Sequence, residues 1–77
     1  MKIVLDKLAN AMRIEVRAGR SARTVDAGRG MVVDYDRRGN VLSIEVLGAD
    51  RVLDGRLSIP SRLFRPLEAA TGQAARR

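Results

Sequence analysis

Apolar and polar residues alternate along the first two-thirds of the chain, a pattern typical of strands that bury one face. The runs KIVLD at residues 2–6 and AMRIEVR at residues 11–17 alternate clearly, and ARTVD at residues 22–26 alternates more weakly. Strands of this kind pair antiparallel when short turns join them. The predicted apolar face of the first two strands is formed by Ile3, Leu5, Met12, Ile14 and Val16.

Short segments rich in turn-forming residues separate these runs. Asp6–Asn10 is the first predicted turn, and we expect Leu8 within it to tuck under the sheet. Gly19 is the pivot of a second turn. Gly28 and Gly30 follow the third strand, where glycine permits a positive φ or a bulge.

The stretch MVVDYDRRGNVLSIEV, residues 31–46, predicts a β-hairpin. A four-residue loop at 37–40 sets a register in which one face is wholly apolar, whereas a slip of one residue would place apolar side chains opposite polar ones. The apolar pairs are Tyr35–Leu42, Val33–Ile44 and Met31–Val46, and the polar face pairs Asp36–Val41, Asp34–Ser43 and Val32–Glu45.

The polar residues of this hairpin suit a turn better than an active site. Asp36 is placed to accept hydrogen bonds from backbone N–H groups, and Gly39 and Asn40 tolerate a left-handed conformation. Asp34 and Asp36 would lie about 6.5–7 Å apart on one strand face, a spacing that also suits two acids of a hydrolytic site. The chain has no histidine and only two aromatic residues, so we expect a solvated face directed at the loop arginines.

The pattern changes after Gly48. Residues 51–53 predict a short turn, Asp-Gly at 54–55 a sharp turn, and 57–60 a short strand that Pro60 ends. Residues 61–72 predict a broken helical segment, because Pro66 interrupts it and Gly72 ends it. Its apolar stripe, which we expect to cover the sheet, consists of Leu63, Phe64 and Leu67.

These elements predict a single domain over residues 1–77 of the mainly β (α+β) class. An antiparallel β-meander occupies 2–48, a short strand and helical cover occupy 49–72, and 73–77 is a frayed tail. A core this small needs an additional source of stability. Without cysteine or histidine the chain has neither disulfides nor a structural zinc site, which leaves self-association, most simply a homodimer, or another protein partner.

Composition also indicates a location. The absence of cysteine fits a reducing compartment. Charged residues interrupt the apolar N-terminal run too early for a signal peptide, and no apolar run approaches the roughly 20 residues of a membrane span. We therefore expect a soluble protein of the cytoplasm that has no membrane partner.

The formal net charge is +6, with 15 basic and 9 acidic residues. A basic surface suits an acidic partner such as nucleic acid. The bases are spread along the chain, however, and aromatic residues for base stacking are scarce. Nucleic-acid binding is therefore the alternative function, and its candidate phosphate contacts are Arg13, Arg17, Arg56, Arg62 and Arg65.

The residues needed for common catalytic mechanisms are missing from the sequence. There is no histidine, cysteine or phosphate-binding glycine loop, so the serines lack a histidine base, and Lys2 and Lys7 stand in exposed contexts. A metal held by Asp34, Asp36 and Glu45 is disfavoured, because the predicted register separates Glu45 from Asp36. We expect no catalytic residues, no cofactor and no metal, hence a protein that is not an enzyme.

The segments KIVLD, LANAMRIEV and VVDYDRRGNVLSIEVLGA resemble a bacterial family known as domain of unknown function 2283. The resemblance covers residues 2–50, with Met12 where the family pattern favours an aromatic residue. It implies a small antiparallel meander with a C-terminal segment packed on it. The family has no agreed activity, so the resemblance implies fold rather than function.

The tail DGRLSIPSRLFRPLEAATGQAARR carries two partial resemblances. It is similar to the opening of the domain of unknown function 2442 family, although Phe64, Arg65 and Pro66 come in a different order. The part GRLSIPSRLF also resembles the looped-hinge fold of AbrB-like regulators, which bind DNA as swapped dimers. In that family the motif lies near the N-terminus and strands follow it, unlike here.

These features together favour a non-catalytic protein-interaction module that acts as a homodimer. Small families of this kind are associated with accessory or neutralising partners of toxin-like proteins, and the resemblance implies that role here. A nucleic-acid-binding module that uses surface arginines is the alternative.

Overall fold

The structure, a computed structural model, describes residues 1–64. Its mainly β, antiparallel class agrees with the prediction. The first predicted turn, at residues 7–10, is present. The elements are β1 (Lys2–Asp6), β2 (Ala11–Glu15), β3 (Arg23–Gly28), β4 (Met31–Tyr35), β5 (Val41–Leu47), helix α1 (Asp50–Leu53) and a 3-10 helix (Ser61–Phe64).

The five strands form one sheet in the order β1-β2-β5-β4-β3. β1 and β2 form a hairpin, and β3, β4 and β5 form a meander that returns to pair with β2. The connection at residues 16–22 therefore passes from β2, beside the β1 edge, to the opposite edge of the sheet, where β3 lies. It runs beside the β4–β5 turn, since the Ala22 N–H donates to the Tyr35 carbonyl. As a result, β1 and β3 are the two edge strands.

The predicted hairpin register is confirmed for four pairs, from Met31–Val46 to Asp34–Ser43. The predicted Tyr35–Leu42 and Asp36–Val41 pairs are both wrong, because Tyr35 pairs with Val41 and Leu42 is an extra residue in a bulge. The Leu42 carbonyl accepts hydrogen bonds from the N–H groups of two residues that follow β2. Its side chain is buried against the 16–22 connection at Gly19. The bulge thus places Val41 in the core instead of Leu42.

The core lies on one face of β2, β4 and β5, where Val33, Ile44 and Val46 are completely buried. The segment after β5 covers this face, as predicted, with Ala49, Leu57 and Leu63 buried. Val52, Ile59 and Phe64 pack beside them while remaining partly exposed. The contribution predicted for Leu67 lies outside the described residues, as do the expectations for Pro66, Gly72 and 73–77.

Two local expectations are wrong. Leu8 does not tuck under the sheet but is fully exposed in the β1–β2 turn. Residues 57–60 form no strand. Leu57 is buried by packing alone, and its N–H donates to the Arg51 carbonyl 2.8 Å away instead of to a strand. Alternation alone does not make a strand, because a strand also needs backbone hydrogen bonds to a neighbouring strand, and residues 57–60 pair with none.

Candidate functional site

Asp36 organises the β4–β5 turn. Its Oδ1 accepts hydrogen bonds from the backbone N–H groups of Arg38, at 2.8 Å, and Asn40, at 2.9 Å. Its Oδ2 accepts from the Asn40 side-chain amide at 3.1 Å. The Asn40 backbone N–H is the main reason that the pKa of Asp36 lies below its usual value. Asp36 is therefore a turn-stabilising carboxylate, as predicted.

The two other turn residues behave differently from each other. Gly39 has the predicted left-handed conformation, with φ of +85°. Asn40 does not: within residues 1–64, the non-glycine residues with positive φ are Asn10 and Arg29. Asn40 instead stabilises the turn by donating both its backbone and side-chain N–H groups to Asp36.

Asp34 belongs to a separate network on the sheet face opposite the core. Its carboxylate accepts from the Thr24 hydroxyl at 2.6 Å and from the Ser43 hydroxyl at 3.0 Å, which joins β3, β4 and β5. The expectation that Asp34 and Asp36 share a strand face is wrong, because β4 ends at Tyr35, whereas Asp36 does line a cavity with the loop arginines Arg37 and Arg38. Residues 1–64 contain no group of three potential ligands placed to hold a metal.

Two of the arginines proposed as phosphate contacts form ion pairs. Arg13 forms an ion pair with Glu15 at 3.5 Å. Arg56 forms ion pairs with Asp54 at 2.8 Å and Asp50 at 3.3 Å, so two carboxylates balance its charge. The other two members of the predicted tail cluster are Arg62 and Arg65, of which the described residues, 1–64, include the first. Arg62 is exposed, and Arg65 lies outside that range.

A different set of arginines meets where the 16–22 connection passes the β4–β5 turn. One open cavity of about 410 Å³ is lined by Arg20, Arg37 and Arg38 together with Gly19 and Asp36. A neighbouring cavity of about 530 Å³ is lined by residues that include Gly19, Arg13 and Arg17, and the Arg17 charge lowers the pKa of Asp36. We name Arg17, Arg20, Arg37 and Arg38 the hairpin-end arginine cluster.

The hairpin-end arginine cluster is rich in positive charge, since three of its members line one cavity with a single carboxylate, that of Asp36. Within residues 1–64, none of its four members forms an ion pair with a carboxylate. Arg17 is one of the phosphate contacts proposed from the sequence, and Arg37 and Arg38 are adjacent in it, but nothing in the sequence indicated that these residues and Arg20 meet. Arg17 and Arg20 are distant in sequence from the other two members and approach them because the 16–22 connection crosses to the far edge.

Arg51 shows that a basic residue can also be structural. Its Nη2 donates to the carbonyls of Arg29 and Leu47, both at 2.7 Å, and its Nε donates to the Gly48 carbonyl at 3.3 Å. These bonds tie the β3–β4 turn to the end of β5. The guanidinium group of Arg51 therefore stabilises the fold, and we do not include it among the residues that could bind a ligand.

The second candidate surface is the β1 edge. All five residues of β1 are exposed, and Ile3, Val4 and Leu5 expose 62%, 40% and 39% of their surface. Ile3 is opposite Ile14 and Leu5 is opposite Met12, so both lie on the core face. The alternation at 2–6 had predicted that this face is buried, but within residues 1–64 the C-terminal cover packs against the core side chains of β2, β4 and β5, and Ile3 and Leu5 stay exposed.

The two edges of the sheet differ. β3 begins with Arg23 and its pairing is irregular between Asp26 and Gly28, where φ of Gly28 is +86°. A bulge of this kind protects an edge against further pairing. β1 pairs with β2 in unbroken register over all five residues, so its outer side is regular and accessible.

Comparison with known proteins identifies a family for the sheet. A protein-family model described as "Protein of unknown function (DUF2283)" matches residues 2–49, which span β1 to β5. No curated protein and no solved structure matches the chain. Within residues 1–64, no helix has both the length and the apolar character needed to cross a membrane.

Proposed function

The chain belongs to the family described as Protein of unknown function (DUF2283), and we propose that it is a non-catalytic protein-interaction module that acts as a homodimer. The observation that carries this proposal is the exposed β1 edge, where Ile3, Val4 and Leu5 are accessible beside backbone groups that no other strand of residues 1–64 pairs with. Edges and apolar patches of this kind are sites where another chain docks.

The size of the core supports the same proposal. The buried side chains lie under one short C-terminal cover, and the chain has no cysteine or histidine for a disulfide or zinc site. Small domains without such links gain stability from association. A partner on β1 would bury the apolar residues that the cover leaves exposed.

The proposal also includes a cellular location and a further protein partner. We place the protein in the cytoplasm, which the absence of cysteine supports. A toxin-like protein is the further partner that the family resemblance implies. No catalytic step, cofactor or metal is part of this function.

Sedimentation equilibrium of the full chain from about 1 to 100 μM tests the homodimer, a range that spans the affinities of weak to moderate complexes. We expect a mass twice that of the 8.4 kDa chain, with dissociation only at the dilute end. A folded monomer over the whole range would contradict the proposal, and far-ultraviolet circular dichroism on the same samples would establish that it is folded.

The hairpin-end arginine cluster supports a second candidate function, nucleic-acid binding. Its four guanidinium groups pair with no carboxylate of residues 1–64 and surround open cavities. Such groups suit phosphates, whose binding weakens steeply as salt rises. Of the five arginines that the sequence analysis proposed as phosphate contacts, only Arg17 belongs to this cluster.

Binding of duplex DNA and of single-stranded RNA at low salt tests this alternative. If it holds, replacing Arg20, Arg37 and Arg38 with glutamine should abolish binding, whereas Arg62→Gln, an exposed arginine elsewhere, should lower it slightly. Failure of both nucleic acids to bind the unaltered chain would exclude it.

A further inference from the structure

The sequence of β1 is complementary to itself. It reads Lys-Ile-Val-Leu-Asp from Lys2 to Asp6, with opposite charges at its ends and apolar residues between them. We propose that two copies of the chain pair through their β1 strands, antiparallel, about a twofold axis that passes between the two Val4 residues. This inference rests on the proposed homodimer and specifies its interface.

Symmetry restricts the possible registers. A twofold axis normal to the sheet keeps every side chain on its own face. Such an axis passes midway between a residue and the same residue of the second copy, so one residue of β1 must lie opposite itself. Centred on Val4, the pairing places Lys2 opposite Asp6 of the second copy and Ile3 opposite Leu5 of the second copy. Centred on Ile3 or Leu5, it would place a charged residue opposite Val4 and lose both charge pairs. Opposite charges directly across a strand pair are favourable, which selects the Val4 register.

Both faces of the sheet fit this register. Lys2, Val4 and Asp6 share the face opposite the core, because they are opposite Glu15, Arg13 and Ala11 of β2. One oxygen of Asp6 accepts from the Ala9 N–H at 3.1 Å, which leaves the other for a lysine. On the core face, Ile3 and Leu5 of the two copies would form a continuous apolar strip that joins the two cores through Ile14 and Met12.

The edge strand β3 does not offer an equivalent pairing. Centred on Val25, it would place Arg23 opposite Ala27 and Thr24 opposite Asp26, which creates no charge pair. Its bulge between Asp26 and Gly28 also disrupts a regular ladder. The second copy is therefore assigned to β1.

Disulfide trapping tests the register directly. The chain has no cysteine, so Val4→Cys places one thiol at the centre of the proposed interface. Val25→Cys is the control on the other edge strand; Val25 is partly buried on the core face whereas Val4 is exposed on the opposite face, so each crosslinking rate is divided by the rate at which that thiol reacts with a soluble thiol reagent. Under mild oxidation we expect Val4→Cys to form covalent dimers at least about tenfold faster than Val25→Cys, because only paired Cβ atoms come close enough for a disulfide.

Charge exchange provides an independent test. Lys2→Asp would place two aspartates opposite each other at each end of the interface, and Asp6→Lys would place two lysines there. We expect each homodimer to weaken roughly tenfold at low salt. An equimolar mixture of the two variants should form a heterodimer with restored affinity, since the aspartate introduced at position 2 would then lie opposite the lysine introduced at position 6. Lys7→Asp, a charge change just outside β1, should leave the affinity unchanged.

The outcomes separate this inference from the proposed function. If the unaltered chain is a dimer but Val4→Cys crosslinks no faster than Val25→Cys and the mixture shows no recovery, the β1 register is wrong and the homodimer stands. If the unaltered chain is a folded monomer throughout the concentration series, the homodimer and the register both fail.

Discussion

Asn10 and Asp50 exchange two hydrogen bonds between the β1–β2 turn and the start of α1. The Asn10 side-chain amide donates to Asp50 Oδ1 at 2.9 Å, and the Asp50 backbone N–H donates to Asn10 Oδ1 at 2.9 Å. The Asn10 carbonyl also accepts from the N–H groups of Gly48, at 2.7 Å, and Ala49, at 2.8 Å. One turn residue thus satisfies three backbone donors where β5 ends and the C-terminal cover begins.

Asn10 also has a left-handed backbone, with φ of +52°, so two variants separate its roles. Asn10→Gly keeps the backbone relaxed but removes the side-chain hydrogen bonds. Asn10→Ala removes them and adds about 1 kcal/mol of backbone strain. We expect the thermal midpoint to fall in the order of unaltered chain, glycine variant, alanine variant. Equal midpoints for the two variants would show that the side chain alone matters.

Stability should decrease in acid because of Asp36 and Asp50. The Asn40 backbone N–H lowers the pKa of Asp36, and the Asn10 side-chain amide lowers the pKa of Asp50. The unfolded chain therefore binds more protons than the folded chain, and stability is full above about pH 4 and is lost as the pH falls through the lowered folded values. Melting curves between about pH 7 and about pH 2.5 measure this loss.

Replacing the two aspartates tests the cause of that loss. Asp36→Asn should lower the thermal midpoint at neutral pH and reduce its further fall in acid, and adding Asp50→Asn should reduce it more. An acid-induced fall as large in the double variant as in the unaltered chain would mean that other carboxylates are responsible.

The β3–β4 turn contains an unfavourable residue. Arg29 and Gly30 have φ of +57° and +81°, the positive values that a two-residue type I′ turn requires. Asparagine tolerates this conformation much better than arginine. We expect Arg29→Asn to raise the free energy of unfolding by about 0.5–1 kcal/mol, measured by urea denaturation. Arg20→Asn, at an exposed arginine without positive φ, is the control and should change stability little.

Ile44 tests the assignment of the buried face. Its side chain is completely buried between β2 and β4, so Ile44→Asp would bury a charge without a partner and should unfold the domain. Ile44→Val keeps the apolar character and should cost about 0.5–1.5 kcal/mol. Circular dichroism of both variants measures this, and a native-like melting curve for Ile44→Asp would mean that the core lies on the other face.

Much of the sheet follows from local sequence. Alternation predicted every strand from β1 to β5, because a half-buried strand repeats every two residues whatever its neighbours are. The Asp36 turn was equally local, since its donors are within four residues. The same reasoning failed at Leu42, where the bulge depends on two N–H groups from the chain that follows β2.

Local residue patterns were enough to predict which side chains can be buried on each strand and where the chain turns, because these depend on residues a few positions apart. The pairing of β5 with β2 could not be predicted from local patterns, because it joins residues about 30 positions apart, and it has the largest consequences for the fold. It leaves β1 and β3 as edges and brings the 16–22 connection past the β4–β5 turn, where the hairpin-end arginine cluster forms. The exposure of Ile3 and Leu5 is also a tertiary outcome, since it depends on how far the C-terminal cover reaches across the sheet.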